Sequence, residues 1–123
     1  MNLGIVLLYV NDIVAAKNFY TDVIGFSVVE DQSGPTFVLL RPTNGSFVAL
    51  QDMKTVNPAQ ARPAGGVELC LEVDHGVDSI WSDWKAKGAA MVVDPVDMPF
   101  GRTFTAKDPE GYFVTVYRPP VIA

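Results

Sequence analysis

YVNDIVAAKNFYTDVIGF, residues 9–26, and VDHGVDSIWSDWKAKG, residues 73–88, are two versions of one segment. Each opens on a valine with an aspartate close behind, in Val10-Asn11-Asp12 and Val73-Asp74-His75, and each closes on a glycine, Gly25 or Gly88, across equal intervals. Asp12 is a good N-cap, because its side chain can accept from an orphan backbone N–H of the first turn. Ile13, Ala16, Phe19, Tyr20 and Val23 recur at three- and four-residue steps and predict a helix with one packed face. Val77, Ile80, Trp81 and Trp84 do the same over Val77 to Lys87. The closing glycines sit where helices end.

Outward from these helices the pattern changes to strands. Gly4 to Val10 is apolar at nearly every position and reads as a strand buried on both faces. Phe26 to Asp31, Thr36 to Arg41 and Ser46 to Asp52 are rich in Val, Phe and Leu and are bounded by Gln32-Ser33-Gly34-Pro35 and Pro42-Thr43-Asn44-Gly45. In the second half Val67 to Val73 alternates, with Val67, Leu69, Leu71 and Val73 on one side and Glu68, Cys70 and Glu72 on the other. Met91 to Asp94, Arg102 to Lys107 and Tyr112 to Arg118 complete the set, with Asp108-Pro109-Glu110-Gly111 as the last hairpin turn and Pro95 to Gly101 as a loop. The reading is α+β: two tandem βαβββ modules, about 1–53 and 65–123, joined by a linker over about 54–64 and forming one domain.

Composition narrows the function. At 123 residues and 49% apolar the chain suits one domain with a substantial core. Fourteen acidic against nine basic residues, a net charge of −5, argue against a nucleic-acid surface and a polybasic membrane anchor. No apolar run reaches the length of a membrane span, and no basic region precedes the apolar N-terminal run as in a signal peptide. Cys70, the single cysteine, rules out an internal disulfide and a Cys-rich zinc site. A cytoplasmic location is expected.

Tyr9-Val10-Asn11-Asp12, Phe19-Tyr20, Ile24-Gly25-Phe26, Gly88 and Asp108-Pro109-Glu110-Gly111-Tyr112, in this module order, resemble the vicinal oxygen chelate superfamily. That group holds glyoxalase I, bleomycin- and fosfomycin-resistance proteins and extradiol dioxygenases. The resemblance implies that the curved mixed sheets form a cup for a small molecule. It also implies a divalent metal with ligands five residues before the valine of each module and four after each hairpin glycine. Those positions hold Ile5, Ala49, Glu68 and Thr115. One carboxylate and a hydroxyl do not make the three or four His or carboxylate ligands such an ion needs. A shift of one residue either way meets only Gly4, Val6, Val48, Leu50, Val67, Leu69, Val114 and Val116. Neither metal nor other cofactor is expected.

With one position of the cup given, strand period two supplies its lining: Ile5, Leu7, Tyr9, Phe47, Ala49 and Gln51 from module one, and Glu68, Cys70, Glu72, Phe113, Thr115 and Tyr117 from module two. Tyr9, Phe47, Phe113 and Tyr117 suit stacking on a ring system. Glu68 is read either as a buried carboxylate on the cavity wall, able to act as general base, or as a strand carboxylate reaching solvent or pairing with a neighbour such as Arg102. Phe100 is expected as a lid over the mouth and Arg102 as a partner for an anionic group. His75 is read as a surface or capping residue. The leading expectation is a metal-independent binder of a small, largely apolar or aromatic molecule, in the manner of the bleomycin-resistance branch, protecting by sequestration. The alternatives are a glyoxalase- or dioxygenase-type enzyme with an atypical site, or a metal-free enzyme with Glu68 as base and Tyr9 or Tyr117 polarising an oxygen. The resemblance also implies a homodimer, since cups of this family are often completed across two chains, and exposed strand edges that need covering agree with it.

Overall fold

Asp12 caps as its position predicts. Its Oδ1 accepts from the Ala15 backbone N–H at 3.0 Å, and helix α1 (Ile13–Asn18) begins there. The computed structural model describes residues 5–55, 67–98 and 101–120, in two compact units, Met1–Gly65 and Gly66–Ala123. The helix expected through Val23 changes character part way. After Asn18 the chain continues as a π-helical turn, Phe19–Ile24, and stops at Gly25, whose φ of 95° suits glycine. The wider turn accompanies the burial of two consecutive aromatics, Phe19 and Tyr20. Their rings meet edge to face at 5.2 Å, and Phe26 stacks on Tyr20 at 6.0 Å.

Four strands follow one order in each unit. In the first, β1 (Ile5–Val10), β2 (Ser27–Val28), β3 (Phe37–Arg41) and β4 (Phe47–Asp52) lie in the order β1-β4-β3-β2, with β1 parallel to β4 and the other pairs antiparallel. In the second, β5 (Glu68–Glu72), β6 (Ala90–Met98), β7 (Gly101–Lys107) and β8 (Phe113–Arg118) repeat it as β5-β8-β7-β6, with helix α2 (Val77–Ala86) between β5 and β6. The duplicated α+β architecture is therefore present.

Two strands differ from expectation, each for a local reason. β2 has two residues where six were expected. Beyond Val29 the chain turns through a 3-10 segment, Glu30–Gln32, and the Ser33 hydroxyl takes over the pairing. It donates to the Val29 carbonyl at 2.7 Å and accepts from the Leu39 N–H at 3.0 Å. β6 runs through Pro95 to Met98, so most of the expected Pro95–Gly101 loop is strand. Proline is tolerated because β6 is an edge strand, where its missing N–H costs no ladder bond, and the register shifts on either side of Val93 absorb the irregularity. Residues 99 and 100 of that loop lie outside the described residues, as do residues 56–64 of the expected linker.

Each helix covers one face of its own sheet. Leu8, Val10, Val38, Leu40, Val48 and Leu50 are buried on the α1 side with Ala16 and Tyr20. On the α2 side Trp84 packs edge to face on Phe104 at 5.2 Å, over Val114 and Val116. No described helix is long and apolar enough to cross a membrane.

Candidate functional site

Strand alternation sends the remaining side chains to the faces turned away from the helices. In the first sheet the rows Ile5↔Phe47, Leu7↔Ala49 and Tyr9↔Gln51 place all six expected module-one residues on one face. Ile5 is 50% exposed and Leu7 41%. The register also brings in β3, which the sequence reading left out. Phe37 lies beside Gln51 and Leu39 beside Ala49. The Arg41 guanidinium stands 5.4 Å from the centre of the Phe47 ring, a cation–π contact that holds a positive charge over an aromatic wall. The Gln51 amide is engaged within the unit, donating to the carbonyls of Thr36 and Asp52 and to the Thr55 hydroxyl.

The second sheet carries a more polar face. Glu68↔Phe113, Cys70↔Thr115 and Glu72↔Tyr117 are neighbours across β5 and β8, and β7 adds Thr103, Thr105 and Lys107, also missed from sequence. Thr115 Oγ1 donates to Glu68 Oε1 at 2.9 Å, and Thr105 Oγ1 lies 2.7 Å from Thr115 Oγ1. Because the Thr115 proton is committed to the carboxylate, Thr105 must be the donor to Thr115. Tyr117 donates to Glu72 Oε1 at 3.2 Å. Burial, then the bond to Glu72, raises the Tyr117 phenol above its ordinary range. Burial, followed by the negative charge of Glu68, raises the Cys70 thiol.

Three expectations need correction or qualification. Glu68 is not enclosed in a cavity wall; it is exposed, and its hydroxyl partner is Thr115 rather than Arg102. Arg102 belongs to the opposite, helix-covered face. Its Nε and Nη2 grip Asp78 of α2 at 2.8 and 3.0 Å, and Nη1 reaches Asp97 at 3.0 Å, so its donors serve to tie α2 to β6 and β7. Phe100 lies outside the described residues. His75 is exposed, with Nδ1 2.6 Å from Asp74 Oδ1.

The divalent metal implied by the resemblance does not fit these side chains. Ile5 and Ala49 offer no donor atom, and Glu68 and Thr115 are hydrogen-bonded to each other. Among the described residues no group of three His, Cys, Asp or Glu is placed to hold an ion.

This duplicated architecture, with its strand order and open sheet faces, defines a class. The chain belongs to the Glyoxalase/Bleomycin resistance protein/Dioxygenase superfamily, whose family model matches residues 2–116. Among solved structures it is similar to TnmS3, an antibiotic binding protein from Streptomyces sp. CB03234, at 26% identity and a TM-score of 0.79, over 98% of this chain and 97% of that one. It is also similar to protein ATC0852 from Agrobacterium tumefaciens, at 37% identity and a TM-score of 0.78, over 95% and 96% of the two chains. A lactoylglutathione lyase from Agrobacterium tumefaciens, 22% identical with a TM-score of 0.73 over 94% and 91%, shares the fold. No curated protein matches the chain.

Proposed function

We propose that the protein binds a small, largely apolar or aromatic molecule on the sheet faces turned away from its helices, without a metal, and that it acts in the cytoplasm by sequestering a drug or toxin. The observation that carries this reading is the exposure of apolar side chains on those faces. Ile5, Leu7 and Phe113 are each at least two-fifths exposed, beside Tyr9, Phe47 and Tyr117. Apolar groups left facing water with a few placed polar groups are what a ligand surface needs. The likeness to TnmS3, an antibiotic binding protein, supports the same reading. A homodimer accompanies it, supported by the apolar side chains exposed along edge strand β6: Val92, Val93, Val96 and Met98. Light scattering on the eluting peak measures that state.

A thermal-shift screen against planar aromatic antibiotics tests the proposal. A ligand at one hundred times its Kd stabilises the folded state by about 2.7 kcal/mol, which raises the Tm of a domain this size by roughly 10 °C. Failure of every aromatic compound to raise the Tm sinks the proposal. The Thr105–Thr115–Glu68 relay favours one second reading, an enzyme with Glu68 as general base. Any turnover that survives Glu68→Gln removes it.

A further inference from the structure

We infer that Glu68, standing where the family resemblance puts a metal carboxylate, is instead the ligand's hydrogen-bond acceptor, and that it selects aromatic molecules carrying a protonated amine. This rests on the binding function proposed above and names the ligand class for module two's open face.

Both ends of the Thr115–Glu68 bond are committed in a way that disfavours an ion. The Thr115 proton points at Oε1, so the hydroxyl already serves as donor to the oxygen a cation would need, and one of its two acceptor lone pairs is taken by Thr105. Thr105 and Thr115 are buried, at 9% and 6% exposure, so water is kept from the bond between them, while Glu68 itself is exposed. The relay therefore holds the carboxylate by one oxygen and leaves the other turned outward. Among the described residues Oε2 meets the Cys70 thiol, at 3.9 Å, a weak donor at long range. Phe113, the cross-strand neighbour of Glu68, is 44% exposed and supplies an aromatic side chain on the same face.

Charge points the same way. The described carboxylates and ammonium on this face are Glu68, Glu72 and Lys107. Glu72 is served by the Tyr117 hydroxyl, and Lys107 lies on the far side of Phe113 from Glu68. Two carboxylates against one ammonium favour a cationic group on the ligand. A protonated amine suits Oε2 best, since hydrogen bonds between two charged groups are the strong ones. Thr105 touches no ligand in this scheme. It is a positioning residue that acts through Thr115.

The test is calorimetric titration of the whole chain with three probes sharing one ring: naphthylmethylammonium, naphthylmethanol and naphthoate. The wild type is expected to bind the ammonium about tenfold more tightly than the alcohol, and the carboxylate most weakly. Glu68→Gln brings the ammonium-to-alcohol ratio to within about twofold. Thr105→Val reduces that ratio about threefold, while Thr105→Ser, which keeps the hydroxyl, restores it. A merely structural Thr105 would lower all three affinities together. Equal affinities for the three probes in the wild type overturn the inference and leave the binding function standing. Failure of all three to bind overturns both. Uptake of one equivalent of zinc that Glu68→Gln abolishes overturns the inference by itself. Should a variant not fold, the wild-type probe series and Thr105→Ser still decide.

Discussion

Leu7 and Leu8 are consecutive residues of β1 that belong to opposite faces, and shortening each to alanine separates what folds the chain from what the chain binds. Leu8 is 1% exposed on the helix-covered face; Leu7 is 41% exposed on the other. Leu8→Ala removes a full side chain from a closed core and leaves a cavity, which costs about 3–4 kcal/mol. Leu7→Ala opens to water, so no closed cavity forms. Only the covered three-fifths of the side chain is lost from burial, about 1 kcal/mol on the transfer scale. At roughly 4 °C per kcal/mol for a domain of this size, Leu8→Ala lowers the Tm by about 12–16 °C and Leu7→Ala by about 4 °C. The order reverses for binding. Leu7→Ala removes apolar ligand contact and weakens a bound aromatic molecule by several-fold, whereas folded Leu8→Ala at low temperature keeps its affinity. Differential scanning calorimetry and titration calorimetry read the two effects. Equal Tm losses, or a Leu7→Ala variant with unchanged affinity, would refute the face assignment.

Other perturbations probe separate parts of the structure. The hydrogen bonds from Arg102, and then its charge, hold the Asp78 carboxyl below the ordinary 3.8. The stabilisation this gives is complete above that pH and is lost as pH falls through the depressed value. The Tm gap between wild type and Arg102→Met should therefore be present at pH 7 and shrink as the pH falls below 3.8 and through the depressed value; a gap that does not shrink contradicts the pairing. Gly101 has φ of 125°, and a Cβ there would stand 1.9 Å from the Arg118 carbonyl oxygen. Gly101→Ala should destabilise by more than about 2 kcal/mol, while Gly34→Ala, with nothing within 4 Å, should be neutral or slightly stabilising in the same urea melts. Cys70, with its thiol raised by burial and by Glu68, should react slowly with iodoacetamide at pH 7 and faster in Glu68→Gln. Unchanged rates in that variant would remove Glu68 as a cause.

The duplication was legible because its signals are local. An N-cap, a closing glycine and a hairpin turn each act within a few residues, and together they set the order of elements. Counting from Val73 and Gly111 also brought Glu68 and Thr115 to one place, and their oxygens lie 2.9 Å apart. What escaped depends on partners. Thr105 and Arg41 reach the open faces through antiparallel register with β8 and β4, and drawing the lining from first and last strands alone omitted them. The hairpin turns before Ser46 and Tyr112 carry that register, so period two along β3 and β7 would have recovered both. Arg102 was expected at the mouth because it follows the loop that the resemblance places there, but as a β7 residue it points to the helix-covered face, one position before Thr103 on the open one. The strand through Pro95 was hidden because proline reads as a breaker until the strand is known to be an edge. The two-residue β2 was hidden because past Val28 its pairing continues through one backbone bond, from the Val29 N–H to the Leu39 carbonyl, and then through the Ser33 side chain.

The most direct test is an NMR titration of isotope-labelled protein with naphthylmethylammonium, following every assigned amide and methyl. Saturable shifts are expected on the open face of module two, at Cys70, Phe113 and Thr115, with Leu8, Leu50, Trp84 and Val116 little changed and no dependence on added zinc. Shifts that centre on the helix-covered faces, or that arise only after a metal is supplied, would contradict that expectation.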